Sequence, residues 1–331
     1  MTRPIRYTPY PNALFEITLR TLHGRLLLTP SKDLNEIILG ILGRALSLYP
    51  EIKLHCFVFV SNHYHALIST PDSRLLALFM NHVNANLAKE AGRLHQWRER
   101  FWSRRYRAIA VLDEAVMMQR LRYLLEHGCK EGLISSPDQW PGVQCVKALT
   151  SGQVLEGFWF DRTQEYRARR KGKTFQKYEF ATRYQVPLSP LPGWENLPEA
   201  ERRAKVQQLV DEIAAETRAR LEQSHIDALG AKRVLDQDPH SCPRQVSKSP
   251  APTCHTVSRK LRDGFRDLYR AFLAKFQEAC EQLKSGQQQV SFPRGSYPPA
   301  LSFVSFSEVE RKEYAPGSGC PFPLSVGLVA G

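Results

Sequence analysis

The chain has 331 residues, 42% apolar and 10% aromatic, which is ample for a sizeable core and long enough for two domains or one with an extension. Its 46 Lys and Arg against 33 Asp and Glu leave a formal charge of +13, and a chain this basic calls for a polyanionic partner or a membrane surface. No apolar run approaches the ~20 residues of a spanning helix, the opening MTRPIRYTPYPN lacks the apolar stretch of a signal peptide, and seven scattered cysteines fit reduced thiols, so a cytoplasmic protein is expected.

In chain order, ALFEITLR (13–20) reads as a strand, and Asp33 is placed to cap a helix over LNEIILGILGRALSLY. A strand over 52–60, a turn at Ser61–Asn62 and a strand over 63–69 follow. Residues 73–91 have helical spacing, RFWSRRYRAIAVL (100–112) reads as a fourth strand, and Asp113 caps a third helix that Gly128 ends as its C′ residue. Strand–helix–strand–strand–helix–strand is the split βαβ, ferredoxin-like plan. The expected class is therefore α+β: an antiparallel sheet with helices on one face, one helix appended, and a mostly helical C-terminal extension. The expected divisions are a core over 1–150, a basic aromatic segment and linker over 151–193 with VPLSPLPG (186–193) as the linker, and a partly disordered helical accessory region over 194–331. In that last region helices are expected at about 198–223 and 257–283, joined by a Pro/Ser-rich connector over 236–253.

Within FVFVSNHYHALIST (57–70), strand alternation sends His63 and His65 to one face while Tyr64, Ala66 and Ile68 turn to the other. Two adjacent imidazoles are either a polar stripe on a solvent face or two ligands of one metal, and a metal needs a third group. The third helix offers one. In DEAVMMQRLRYLLEHGC (113–129), Met117, Met118, Leu121, Leu124 and Leu125 form one apolar stripe. At about 100° per residue, Tyr123 lies roughly 160° from the centre of that stripe, with Arg120 at i−3 and His127 at i+4 on its own side. Such a tyrosine is either a partly exposed helical residue making a hydrogen bond or a metal-assisted nucleophile.

Phenol is a weak nucleophile at its ordinary pKa near 10. Attack on a phosphodiester becomes easier when an adjacent metal polarises the phosphoryl oxygens and an arginine offsets developing charge. His63, His65 and His127 would hold the ion, with Glu126 as the reserve third ligand. The ion would be divalent, Mg²⁺ or Mn²⁺, the nitrogen-rich ligand set leaning towards manganese or later metals. His240, Cys242, Cys254 and His255 also lie together in sequence, but without the CxxC spacing of a zinc site.

His63-Tyr64-His65 resembles the HUH motif (His, hydrophobic, His) of single-tyrosine DNA transposases. Its spacing to RYLLEHGCKEGLI, with FWSRRYRAI before and DQWP after, resembles the REP-associated tyrosine transposases over roughly residues 3–145. The resemblance implies a ferredoxin-like core that recognises imperfect DNA hairpins (REP-like palindromes) and nearby single-stranded sequence. It also implies cleavage of one strand through a covalent 5′-phosphotyrosine, with His63 and His65 as metal ligands, Tyr123 as nucleophile, and a monomer or homodimer as the working state. The family often carries Asn-Pro-Val where this chain has His127-Gly128-Cys129, so His127 as third ligand is read from this chain alone.

Arg98, Arg100, Arg104, Arg105 and Arg107 cluster with Trp97, Phe101, Trp102 and Tyr106, which suits single-stranded or hairpin DNA: guanidinium groups hold phosphate and flat rings take unpaired bases. Arg3 and Arg6, with Tyr7 and Tyr10, are candidates for gripping a guide sequence, and Arg167, Arg169, Arg170, Lys171 and Lys173 form a second basic run. The function expected is a metal-dependent single-strand DNA endonuclease and strand transferase needing no nucleotide, as the chain has no GxxxxGK[ST] loop. The alternative is a non-catalytic, domesticated DNA-hairpin binding protein, and Tyr123→Phe separates the two. A replication-initiator or relaxase-like enzyme would share the site but bring a second tyrosine or helicase signatures, and Tyr106 is the other tyrosine in a basic setting.

Overall fold

A computed structural model of the chain describes residues 7–242, 252–294, 296 and 304–307. Arg3 and Arg6 lie outside the described residues. The elements are β1 (Ala13–Arg20), α1 (Lys32–Leu48), β2 (Lys53–Val60), β3 (His63–Thr70), α2 (Ser73–Leu94), β4 (Arg107–Val111), α3 (Glu114–Leu125), α4 (His127–Lys130) and α5 (Val146–Ser151). They continue with β5 (Glu156–Phe160), α6 (Arg162–Arg170), β6 (Ala181–Gln185), α7 (Glu199–Ser224), α8 (Ala231–Leu235), β7 (Cys254–His255), α9 (Arg259–Lys284), β8 (Val290–Pro293) and β9 (Val304–Ser307).

The main sheet has the order β2-β3-β1-β4-β7. Its first four strands are antiparallel neighbours in the ferredoxin-like arrangement, as the pattern of elements predicted. β7 is an addition: it returns from beyond the Pro/Ser-rich connector and pairs parallel to β4. The register sets the faces. Leu19 stands opposite Tyr64 and Thr18 opposite His65, so Tyr64 shares one face with Leu19 and Ile17 while His65 shares the other with Thr18, Glu16 and Arg20. On the Tyr64 face, α2 receives the phenol, whose hydroxyl donates to Asn84 Oδ1 at 2.7 Å, and α1 packs beside α2. The appended helix α3 covers the histidine face instead, against β2 and β3.

Several local expectations need correction. Ser31, not Asp33, caps α1: its backbone is extended (φ −149°), and its Oγ accepts from Leu34 N at 3.1 Å, whereas Asp33 already lies within the first turn. The fourth strand is shorter than 100–112. Phe101 and Ser103 hydrogen-bond past the end of β1, with Leu22 N donating to Phe101 O at 2.8 Å and Ser103 N to Arg20 O at 3.0 Å, before pairing proper begins at Arg107. Gly128 does not end the third helix. It is buried inside α4 where a Cβ would stand 2.8 Å from Ile134 Cδ1, and the left-handed turn is made by Gly132 (φ +68°). Residues 186–193 are packed as well: Val186 and Leu191 are buried, and Ser189 N donates to Leu54 O at 2.8 Å.

The basic aromatic stretch folds into β5, α6 and β6. Its two-stranded sheet lies on α1 through a close approach in which a Cβ on Gly40 would meet the Phe158 carbonyl carbon at 2.2 Å. Beyond it, α7 packs against α4 and α5. One hydrophobic cluster runs from Ala13 to Phe265, and a smaller one joins Ala279, Val290 and Phe292. Among the described residues, no helix is long and apolar enough to cross a membrane.

Candidate metal centre and nucleophile

β3 carries His63 and His65 on one face because its side chains alternate, and α4 begins with His127 where the third helix passes over that face. One ligand atom from each of the three histidines can be chosen so that all lie within 4.8 Å of one another. His63 Nε2 and His127 Nε2 are 2.7 Å apart. The other ring nitrogens settle the tautomers of the strand pair. Asn62 Nδ2 donates to Gly24 O, which turns its Oδ1 towards His63 Nδ1 at 2.6 Å, so His63 carries its proton on Nδ1. Glu16 Oε1 accepts from His65 Nδ1 at 2.9 Å in the same way. Both strand histidines are thus left with an unshared pair on Nε2, the carboxylate- or amide-oriented arrangement that metal-ligating histidines commonly show.

His127 supplies the test of whether a cation fits. Its Nδ1 is buried and finds no hydrogen-bond partner among the described residues. If His127 carries its proton on Nε2, it satisfies His63 but leaves Nδ1 as a buried acceptor with nothing to accept. If it carries the proton on Nδ1, a buried donor is orphaned and two lone pairs face each other. A divalent cation taken up by the Nε2 atoms relieves the facing lone pairs of the second arrangement, and neutral imidazoles are the form it needs. Burial, with the neighbouring charges of His65 and Lys130, brings His127 down to about 3. His63 is likewise held well below the usual histidine range by burial and by His65, His127 and Arg20.

Tyr123 stands on the same side of α3. Its ring centroid lies 5.3 Å from that of His65 and 5.2 Å from that of His127, edge to face in both cases. Arg120 Cζ and Lys130 Nζ lie 4.9 Å and 4.8 Å from the ring centroid. Burial raises the phenol above its usual pKa, and Glu16 and Glu131 add to this while Arg120 opposes it. Left to itself, this tyrosine is a poor nucleophile. Arg120 also comes within 3.7 Å of Glu16 Oε2. Glu126, the reserve ligand, lies elsewhere, 3.7 Å from Arg122, which reaches on to Glu212 and Glu216 of α7.

Glu16 holds this cluster together. It is 3% exposed, with His65 hydrogen-bonded to one oxygen and His255 Nε2 2.8 Å from the other, a close polar contact without aligned hydrogen-bond geometry. Burial alone would raise its carboxyl, but the contacts with His255 and His65 and their charges outweigh that and hold it below the ordinary carboxylate range. Sequence reading missed Glu16, Asn62, Lys130 and the placement of His255. A signal for Glu16 was there: it is a lone carboxylate inside the apolar strand ALFEITLR. His255 leaves its sequence neighbours, since Cys242 is exposed and His240 lies beside Trp97 at 5.9 Å, so among the described residues these four form no metal cluster.

The arginines divide from the aromatics they cluster with in the sequence. Arg98, Arg100, Arg104 and Arg105 are exposed, while Phe101 is buried and Trp102 is half-buried against Tyr64 with its indole N–H on Asn84 O at 2.9 Å. Trp102 is therefore held by the Tyr64 face. Arg107 stands opposite Thr18, which stands opposite His65, and so lies on the histidine face two strands away. Tyr106 Oη donates to Leu76 O of α2 at 3.4 Å, away from the triad.

No protein-family model and no curated protein matches the chain. Eight solved chains are similar to parts of it, two of them as follows. One is the structure of a REP-associated tyrosine transposase bound to a REP hairpin, at 15% identity and a TM-score of 0.37, covering 46% of this chain and 86% of that one. The other is a transposase candidate from Deinococcus radiodurans R1, at 14% identity and a TM-score of 0.26, covering 37% of this chain and 95% of that one.

Proposed function

We propose that the chain is a divalent-metal-dependent single-strand DNA endonuclease and strand transferase of transposase type, acting on hairpin-bearing DNA through a 5′-phosphotyrosine at Tyr123. The observation that carries this reading is the seating of Tyr123 against His65 and His127, two of three histidines whose nitrogens converge. His63, His65 and His127 would hold the ion. When bound, Mg²⁺ or Mn²⁺ would polarise a phosphoryl oxygen of the scissile linkage.

The protein's own groups account for the rest. Tyr123 Oη forms a bond to phosphorus as the bond from phosphorus to the 3′ oxygen breaks. The phenolic proton is lost through water and the departing 3′ oxygen takes one up, so the step is balanced. Arg120 and Lys130, both at the Tyr123 ring, offset the charge that gathers on the phenolate and the phosphoryl group. A 3′-hydroxyl attacking the phosphotyrosine reverses the exchange and joins strands with no nucleotide consumed. Arg98, Arg100, Arg104, Arg105 and Arg107 would hold the DNA backbone on the approach to the site. Arg3 and Arg6 belong to the same proposal from sequence alone.

The test is a denaturing gel of labelled hairpin oligonucleotides incubated with the protein in Mn²⁺, Mg²⁺ or chelator. A metal-dependent covalent adduct is expected, absent in Tyr123→Phe and in His63→Ala. Tight hairpin binding with no adduct in either metal would sink the catalytic reading in favour of a hairpin-binding protein.

A further inference from the structure

The segment Cys254–Ser258 is built into the centre from a distant part of the chain. Cys254 and His255 pair with Ala110 and Val111, and Leu112 N donates to His255 O at 3.0 Å. The next residue along, Asp113, caps α3 with one oxygen, accepting from Val116 N at 2.8 Å. Its other oxygen accepts from Val257 N at 3.0 Å and from the Thr256 hydroxyl. One carboxylate thus ties the start of the helix that carries Tyr123 to the segment that carries His255. That double use holds the backbone just after His255, whose ring nitrogen stands 2.8 Å from Glu16 Oε2.

We infer that His255 is a positioning residue of the metal centre: it holds Glu16 so that Glu16 can orient His65, and the centre is incomplete without the C-terminal part of the chain. This inference rests on the metal reading proposed above and adds to it a residue outside the ferredoxin-like core. The physical reason lies in the two oxygens of Glu16. A buried carboxylate with one oxygen on His65 must place the other, and Arg120 at 3.7 Å is beyond hydrogen-bond length. Without His255, Oε2 is left to turn towards Arg120, and rotation of the carboxylate takes Oε1 off His65 Nδ1. The His65 ring then loses the partner that fixes both its tautomer and its direction.

The experiment is a calorimetric Mn²⁺ titration of the full chain, with melting temperatures taken without metal. His255→Leu fills the space but brings no polar nitrogen to Glu16 Oε2, and a roughly tenfold loss of Mn²⁺ affinity is expected, the low end of what losing such a supporting partner costs. His255→Gln restores a polar N–H beside Oε2 and should recover most of the affinity. In a Glu16→Gln background, His255→Leu should add little, because both changes break one chain of contacts. Equal Mn²⁺ affinity in His255→Leu and wild type overturns the inference while leaving the metal reading intact. So does a loss that His255→Gln does not recover at an unchanged melting temperature, and this arm stands even where the Leu variant does not fold. A wild-type chain that takes up no Mn²⁺ overturns the metal reading itself, and the inference with it.

Discussion

Two kinds of buried histidine share one face of the sheet. His55, at the far end of β2, has Nε2 2.8 Å from Ser69 Oγ and Nδ1 3.2 Å from Ser189 O, so both ring nitrogens are satisfied by fixed neighbours. The group of His63, His65 and His127 turns nitrogens towards one another and leaves His127 Nδ1 with no hydrogen-bond partner among the described residues. His55, His65 and His127 are all buried and His63 partly so, and the residue type is the same. What separates a structural histidine from a candidate ligand is whether its neighbours use up its hydrogen-bonding capacity or leave it pointed at a common space.

That contrast can be broken by changing protonation. Burial brings His55 down to about 4, against the opposing pull of the Ser189 and Pro190 backbone and of Glu195, with Lys53 adding to the fall. The unfolded chain therefore binds this proton more readily than the folded one, and the stability gained from a neutral His55 is present above pH ~6.5 and lost as pH falls towards 4. Urea unfolding at pH 7.5 and pH 4.5 should show wild type losing up to about 3 kcal/mol more than His55→Gln. A difference independent of pH would mean that His55 takes up its proton as readily in the folded protein as in the unfolded chain.

The proposed centre should answer to metal where His55 does not. Mn²⁺ at a hundred times its dissociation constant should stabilise the chain by about 2.7 kcal/mol, in wild type and in His55→Gln alike. His63→Ala should show no such gain, and a metal-induced shift surviving that change would move the ion elsewhere. The contrast sharpens at Asn62, which orients His63 as Ser69 and Ser189 orient His55. Asn62→Ala should cost about tenfold in Mn²⁺ affinity, roughly 1.4 kcal/mol, with the metal-free melting temperature little changed. The smallest effect on the fold belongs to the exposed arginines. Arg104→Ala and Arg105→Ala should leave stability within about 0.5 kcal/mol while lowering hairpin affinity and flattening its salt dependence by about one unit of slope each. An unchanged salt slope would take these residues off the DNA path.

Much of the core is legible in the sequence. Strand β1 falls on the residues that alternation picked out, β3 differs only in gaining Thr70, and Asp113 caps the third helix as expected. Local signals suffice there because periodicity and capping act within a few residues. The histidine pair and Tyr123 were likewise visible, since spacing along one strand or one helix decides which side chains share a face. The misreadings have local causes too. Gly128 has the composition of a helix end, yet close packing against Ile134 and Trp140 reserves it for a helix interior. The arginine-rich run reads as strand through Trp102, yet that ring is claimed by the Tyr64 face.

What the sequence by itself determined is the ferredoxin-like order of elements, the shared face of His63 and His65, and the placing of Tyr123, Arg120 and His127 on one side of a helix. Only the tertiary structure decided that this helix lies over the histidine face, that Glu16 from β1 sits between His65 and Arg120, and that β7 brings His255 to the same carboxylate. The physical reason is range. Backbone periodicity relates residues a few positions apart, whereas strand pairing across the chain depends on which edge of the sheet is left open and on what Asp113 can hold, and neither is written in any window of the sequence.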